Sequence, residues 1–336
     1  MNRCLVLDKT LKFTLELRDI PLPREDQVVV KIAANGICGS DAHFYRTGRL
    51  GNFVVGEPYI PGHEASGVVT ALGAKVSGVS EGDRVIIEPG IPCGKCALCK
   101  LGRYNQCKNV YFLSCPPLDG TLCDYVAIDT AFVYKMPDSL SFEDGALAEP
   151  TAVAVHAINR ARFKPGDTGV ILGSGPIGLL TLQVFKACGG GKVLCADISD
   201  DRLALAKELG ADMVLNPLKT PYSEIYDMAN VVFETAGNVI TTKEAFHICA
   251  TAGCCVQIGW PNENIVPMDI PAFIEKEIDY VGLNRYANAF PAAIEFLASG
   301  RIDCAKMITH RFSLEETTEA FETASSPDAV KVMIIN

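Results

Sequence analysis

One six-residue stretch limits the fold of this chain more than any other. Gly173-Ser-Gly-Pro-Ile-Gly178 follows the apolar run Gly169-Val-Ile-Leu172 and opens into a helix-forming segment from Ile177 to Cys188. A glycine trio at this spacing, between strand and helix, suits a dinucleotide. Gly173 allows the tight turn, Gly175 lets a pyrophosphate approach the backbone, and Gly178 lets helix and strand pack closely. The helix N-terminus then offers amides and a dipole to the phosphates. Asp197 ends the next apolar run, Val193-Leu-Cys-Ala196, 19 residues past Gly178. An acid there binds the ribose diol. Asp200 and Asp201 follow, and Arg202 is the only base close by in sequence. That charge repels a 2′-phosphate, so NAD is favoured over NADP.

The surrounding pattern agrees. A helical segment spans Asp201 to Leu209, and short apolar runs recur at Met213–Leu215, Val231–Phe233 and Cys255–Ile258. Strands alternating with helices imply a Rossmann-type, doubly wound parallel sheet. Thr168 to Phe185 holds 18 uncharged residues, enough to suggest a membrane span, but Gly169, Gly173, Gly175, Pro176 and Gly178 break it. A buried strand and helix are expected instead. The first 150 residues read as β-rich, with strands at Val28–Ala33, Ala65–Leu72 and Arg84–Ile87. Ser141-Phe-Glu-Asp144 fits a capping box, and a helix is expected from Thr151 to Arg162. The tail, from about Tyr286, offers helices near Phe290–Ser299 and Leu314–Thr323 and a strand at Val330–Ile335.

Forty acidic against 30 basic residues leave a net charge of −10. This argues against nucleic acid or an anionic membrane as partner. Fourteen cysteines in a chain with no signal-peptide pattern at Met1–Leu11 point to a soluble, cytoplasmic protein with reduced thiols. Four of them stand as Cys93-x2-Cys96-x2-Cys99-x7-Cys107, a tight set that can surround one tetrahedral zinc. Four protein ligands leave no open position, so this site is structural. An iron–sulfur cluster is the competing occupant. A second constellation is spread out: Cys38 in Gly36-Ile-Cys-Gly-Ser-Asp41, then His63 and Glu64 in Gly62-His-Glu-Ala-Ser-Gly67. Cys, His and Glu all bind zinc, and three protein ligands plus an open position is the catalytic arrangement. Taken singly, each residue is equally at home in a core or on a surface.

These three features, in this order, resemble the zinc-containing medium-chain dehydrogenases, and within them the sorbitol (polyol) dehydrogenase group. The similar stretches include Cys38-Gly-Ser-Asp-Ala-His43, Gly62–Gly67, Gly102-Arg-Tyr-Asn105, Pro116–Gly120, Ala148-Glu-Pro150 and Thr309-His-Arg-Phe312. The resemblance implies a GroES-like, β-rich catalytic domain over residues 1–150 and 286–336, interrupted by a Rossmann NAD-binding domain over 151–285. It implies a catalytic zinc on Cys38, His63 and Glu64, with Glu149 either a further ligand or the partner of the zinc water. It makes Ser40 the acceptor of the substrate proton and His43 the outer end of a relay. It sets Pro176, Ile177, Arg202, Ile258, Gly259, Leu283 and Asn284 beside the glycines and Asp197 along the cofactor. Arg285 and Tyr286 become substrate contacts, as do Phe44 and Tyr45, where the polyol group usually has a tyrosine just after the relay histidine.

The expected activity is transfer of hydride from a secondary hydroxyl of a polyol to NAD, with two zinc ions per chain. Other secondary alcohols (threonine, butanediol or a sugar phosphate) fit the same fold, and a non-catalytic cofactor-binding relative would be expected to have broken the zinc set. The resemblance also implies a homo-tetramer, or dimer, with the run Ile278–Leu283 as an edge strand that pairs across a two-fold.

Overall fold

The computed structural model describes every residue except Asn262 and Asn264. The chain forms two compact units, Met1–Glu149 with Met307–Asn336, and Pro150–Lys306.

The first unit is organised around the strand Gln27–Gly36. It pairs antiparallel with Glu64–Leu72 on one side. On its other side it meets Tyr125–Asp129 along its first half and Lys331–Ile335 at its end. Arg84–Ile87 and Val133–Lys135 extend the sheet beyond Glu64–Leu72, and Ile308–Ser313 runs parallel to Lys331–Ile335. Alternate residues of the central strand point one way, so Val28, Val30 and Ile32 bury together with Ala65, Val69, Val85 and Ile87. At its far end the register sets Gly36 against Glu64. A Cβ on Gly36 would stand 2.1 Å from Glu64 Oε2, so a glycine is needed to let that carboxylate lie across the strand. The capping box expected at Ser141 is present, with Asp144 as its return partner.

The second unit is a six-stranded, all-parallel sheet. Its order is Met213–Leu215, Val193–Ala196, Gly169–Leu172, Ala229–Glu234, Cys249–Gln257, Asp279–Gly282. The direction of winding reverses between Gly169–Leu172 and Ala229–Glu234, the switch point at which such sheets bind ligands. Thr168–Phe185 is indeed a strand followed by the helix Pro176–Ala187, whose Leu179, Leu180, Leu182, Val184 and Phe185 are fully buried. Among the described residues no helix is long and apolar enough to cross a membrane.

Some boundaries differ from the sequence expectations. The return to the first unit falls at Met307 rather than 286. The helix Phe290–Ala298 buries Phe290, Ala293 and Leu297, and the segment after it is tied to the second unit by Gln183 Oε1, which accepts from the Asp303 amide at 2.7 Å. The helix expected from Thr151 starts at Ala148, which puts Glu149 in its first turn. The run Leu314–Thr323 breaks into a 3-10 turn, Leu314–Glu316, and a helix, Thr317–Thr323, because Ser313 and Glu316 cap each other.

Candidate active site and metal centres

Cys38 caps the helix Gly39–Thr47, and its carbonyl accepts from the Ala42 amide at 3.1 Å. His63 immediately precedes the strand Glu64–Leu72, whose first residue is Glu64, and both follow Gly62, whose φ of +93° is a left-handed geometry that favours glycine. Donor atoms of Cys38, His63 and Glu64 lie within 4.8 Å of one another. One ion holding ligands at about 2.0–2.3 Å closes that span with small side-chain shifts. His63 and Glu64 are buried and Cys38 is half-buried.

A chain of polar groups backs this cluster. The Gly62 amide donates to Ser114 Oγ at 2.9 Å, and Ser114 Oγ donates to Asp41 Oδ1 at 2.5 Å. Asp41 Oδ2 stands 3.2 Å from His63 Nδ1. A carboxylate at that distance favours a proton on Nδ1, which would leave Nε2 for a metal. Burial alone disfavours a charged His63, but Asp41 and the Cys38 sulfur outweigh it and raise its pKa well above the usual imidazole range. A pocket this acidic suits a cation. On the other side of Glu64, both carboxylate oxygens accept from Lys331 Nζ, at 2.8 and 2.7 Å. Sequence reasoning missed Asp41 and Lys331 as parts of the site. Asp41 lay inside a stretch already singled out, three residues past Cys38. Lys331 was visible as the one charge in the apolar run Val330–Ile335.

Ser40 and His43 stand at i and i+3 on Gly39–Thr47, so they share a helix face, and both are half-buried. Burial, aided by Arg46, lowers the pKa of His43 and keeps it neutral near pH 7. Glu149 is buried but does not join the three-ligand cluster. Phe44 and Tyr45, expected at the substrate, take part in packing. Phe44 is buried with Leu7, Val55 and Tyr59, and Tyr45 stacks on Phe13 at 5.0 Å and meets Phe321 edge-on at 5.6 Å. Phe44 lies one helical turn beyond Ser40, and Tyr45 lies on the far side of the helix from the Ser40–His43 face.

In the four-thiol loop, Sγ–Sγ distances are 3.4 Å for Cys96–Cys99 and 3.9 Å for Cys93–Cys99 and Cys96–Cys107. Four sulfurs at ~2.3 Å from one tetrahedral ion stand about 3.8 Å apart. The amides of Lys95 and Cys96 point at the Cys93 sulfur and bring its pKa down to about 6, toward the thiolate a metal needs. Tyr104, within this loop, donates to Glu88 Oε1 at 2.8 Å, and Tyr134 donates to Oε2 at 2.8 Å. The loop is thereby fastened to the sheet. It has little apolar surface of its own, and a bound metal would supply order that a core cannot. Cys96→Ser is expected to lower zinc content and the thermal midpoint together, by roughly 5–10 °C. A variant that loses zinc at an unchanged midpoint removes the structural role.

In the second unit Gly173 has φ +98°, and a Cβ on Gly178 would stand 1.9 Å from the Gly173 carbonyl. Nothing lies within 4 Å of a Cβ built on Gly175. The space beside Gly175, at the N-terminus of Pro176–Ala187, is open. Asp197 accepts from the Ser174 amide at 2.7 Å and the Ser199 amide at 2.9 Å, so the acid is braced against the glycine turn. Arg202 lies in the helix Asp200–Glu208. Lys219, distant in sequence, pairs with Asp200 at 2.6 Å, so this nearby base is committed to an acid. Ile258 and Gly259 follow the Cys249–Gln257 strand, and their amides both donate to the Glu234 carbonyl at 2.9 Å. Leu283 and Asn284 follow Asp279–Gly282. All stand at the C-terminal ends of parallel strands. Arg285 is half-buried with φ +56°, an uncommon backbone state for a residue with a side chain, while Tyr286 is buried against Phe290.

A GroES-like β-rich unit with a three-ligand pocket, joined in one chain to a Rossmann-type sheet, defines the zinc-binding alcohol dehydrogenases. Residues 24–138 match the alcohol dehydrogenase GroES-like domain, and residues 176–299 match the zinc-binding dehydrogenase family. The chain belongs to that family. It is 41% identical to the sorbitol dehydrogenase of Bacillus subtilis over 98% of its own length and 96% of the relative's. Among solved structures, an alcohol dehydrogenase of Escherichia coli CFT073 complexed with NADH superposes with TM-score 0.93 at 29% identity, covering 100% of this chain and 99% of that one. A candidate zinc-binding dehydrogenase of Sinorhizobium meliloti 1021 bound to NADP does so at 0.93 and 28%, with the same coverage.

Proposed function

We propose that this protein oxidises a secondary hydroxyl of a polyol to a ketone, passing hydride to NAD, with one catalytic and one structural zinc per chain. The Cys38–His63–Glu64 cluster carries the reading, and the sorbitol dehydrogenase likeness supports the substrate class. Zinc at that cluster supplies a Lewis acid that polarises the substrate hydroxyl, and NAD supplies the hydride acceptor. The chain's own residues do the rest. Asp41 holds His63 in one tautomer. Ser40 Oγ takes the substrate's proton and gives its own to His43, whose burial-lowered pKa leaves it free to accept one and release it to solvent. Glu149, buried in its helix's first turn, adds negative charge near Lys331.

Gly173, Gly175 and Gly178 receive the pyrophosphate, with Pro176 and Ile177 at the helix start. Asp197 takes the ribose diol and, with the commitment of Lys219 to Asp200, supports NAD over NADP. Ile258, Gly259, Leu283 and Asn284 line the nicotinamide end. The strained backbone of Arg285 supports a role for its guanidinium at the substrate. The exposed edge strand Asp279–Gly282, with Tyr280 and the neighbouring Ile270 and Ile274 in solvent, supports pairing into a homo-tetramer or dimer. A cytoplasmic location accords with fourteen free cysteines.

The test is turnover with NAD and NADP across a panel of polyols and primary alcohols, before and after chelation. NAD-dependent oxidation of polyols that chelation abolishes is the expected result. Turnover confined to primary alcohols, or undiminished after verified zinc loss, defeats the reading.

A further inference from the structure

Lys331 is the only lysine or arginine among the buried residues described. Its side chain is 2% exposed and that of its partner Glu64 is 1% exposed. Its three ammonium hydrogens are matched by three acceptors, the two Glu64 oxygens and the Ile37 carbonyl at 3.2 Å. The two residues are 267 positions apart. Around them stand further acids, with Cys38 and Glu149 both acting on Lys331 and Asp41 facing His63. A buried carboxylate with no counter-charge is strongly destabilising. Metal would supply that counter-charge, but so does the lysine, and the lysine is always there. Among the described residues, the lysines and arginines within the four-thiol loop are exposed or half-buried, so none is a buried counterpart of Lys331.

We propose that Lys331 is a resident counter-charge that lets the Cys38–His63–Glu64 pocket fold before its metal arrives, so that folding and metal loading are separate events at this site. The proposal rests on the assignment of that pocket as a metal seat. When metal is bound, Glu64 divides its carboxylate between the ion and Lys331. When it is not, Lys331 holds both oxygens. Lys331 is therefore a positioning residue, acting through Glu64.

The test compares thermal midpoints of the full chain, zinc-loaded and after dipicolinate dialysis has lowered zinc content by one ion per chain. The parent protein is expected to shift by only a few degrees on stripping. Lys331→Met, when loaded, should melt near the parent, and should fall by roughly 10 °C more than the parent when stripped. Lys331→Arg, which keeps the charge, should restore the parent's small shift. Should Lys331→Met fail to fold at all, the double variant Lys331→Met/Glu64→Gln removes both charges and should fold with a midpoint indifferent to this zinc. Equal zinc-dependent shifts in the parent and Lys331→Met overturn the proposal. So does a double variant that remains unfolded. Failure of the metal assignment has a separate signature, a zinc content that Cys38→Ser leaves unchanged.

Discussion

Cys38→Ser is expected to lower kcat/KM by about a thousandfold, roughly 4 kcal/mol of transition-state stabilisation, while the fold and the four-thiol zinc persist. The reasoning is local. Cys38 sits at the mouth of Gly39–Thr47 and would contribute the sulfur of a three-ligand set, and serine is a poor replacement for a thiolate ligand. Its main-chain bond to Ala42 is untouched by the change, so the helix that carries Ser40 and His43 should hold. Circular dichroism and elemental analysis separate the outcomes. A folded variant with one zinc fewer and residual activity is expected. Full activity with one zinc fewer would place the chemistry elsewhere.

The second large effect is on cofactor choice. Asp197→Ser should raise KM for NAD by about 10–100-fold and narrow or reverse the preference over NADP. Two losses combine. The carboxylate proposed to meet the ribose diol goes, and with it the acceptor that braces the Ser174 amide in the glycine turn. On the same reading a charge that would repel a 2′-phosphate is also removed, and Asp200 is already paired with Lys219. Initial rates with both cofactors decide the matter. An unchanged NAD-to-NADP ratio would take Asp197 out of the ribose site.

Much of this was legible in residue order because the signals are short-range. The glycine turn needs only strand, turn and helix in succession, and Gly169–Leu172 and Val193–Ala196 appear with the ends expected of them. The four cysteines fall within one loop, so spacing alone indicates a tetrahedral set. Long-range partners were another matter. Nothing near Glu64 in sequence announces Lys331, and nothing near Asp200 announces Lys219. Each pairing depends on sheet register or on a loop returning from elsewhere. The packing partners of Phe44 and Tyr45 were hidden for the related reason that position along a helix decides what a side chain meets. Ser40 and His43 share one face, and the residues just beyond His43 turn into the core. The late return at Met307 was hidden because an amphipathic helix such as Phe290–Ala298 shows that it will be buried, not against which sheet.

The central strand Gln27–Gly36 completes its hydrogen bonding with Lys331–Ile335, a segment made only after all of Pro150–Lys306 has been synthesised. On the ribosome, the cofactor-type sheet therefore has all its strands in hand while the zinc-type sheet still lacks one of the central strand's partners. The unit whose sequence begins first is the one that must close last. Until it does, the end of Gln27–Gly36 is an open edge, and nascent chains of this protein are at their most vulnerable to mispairing in that interval.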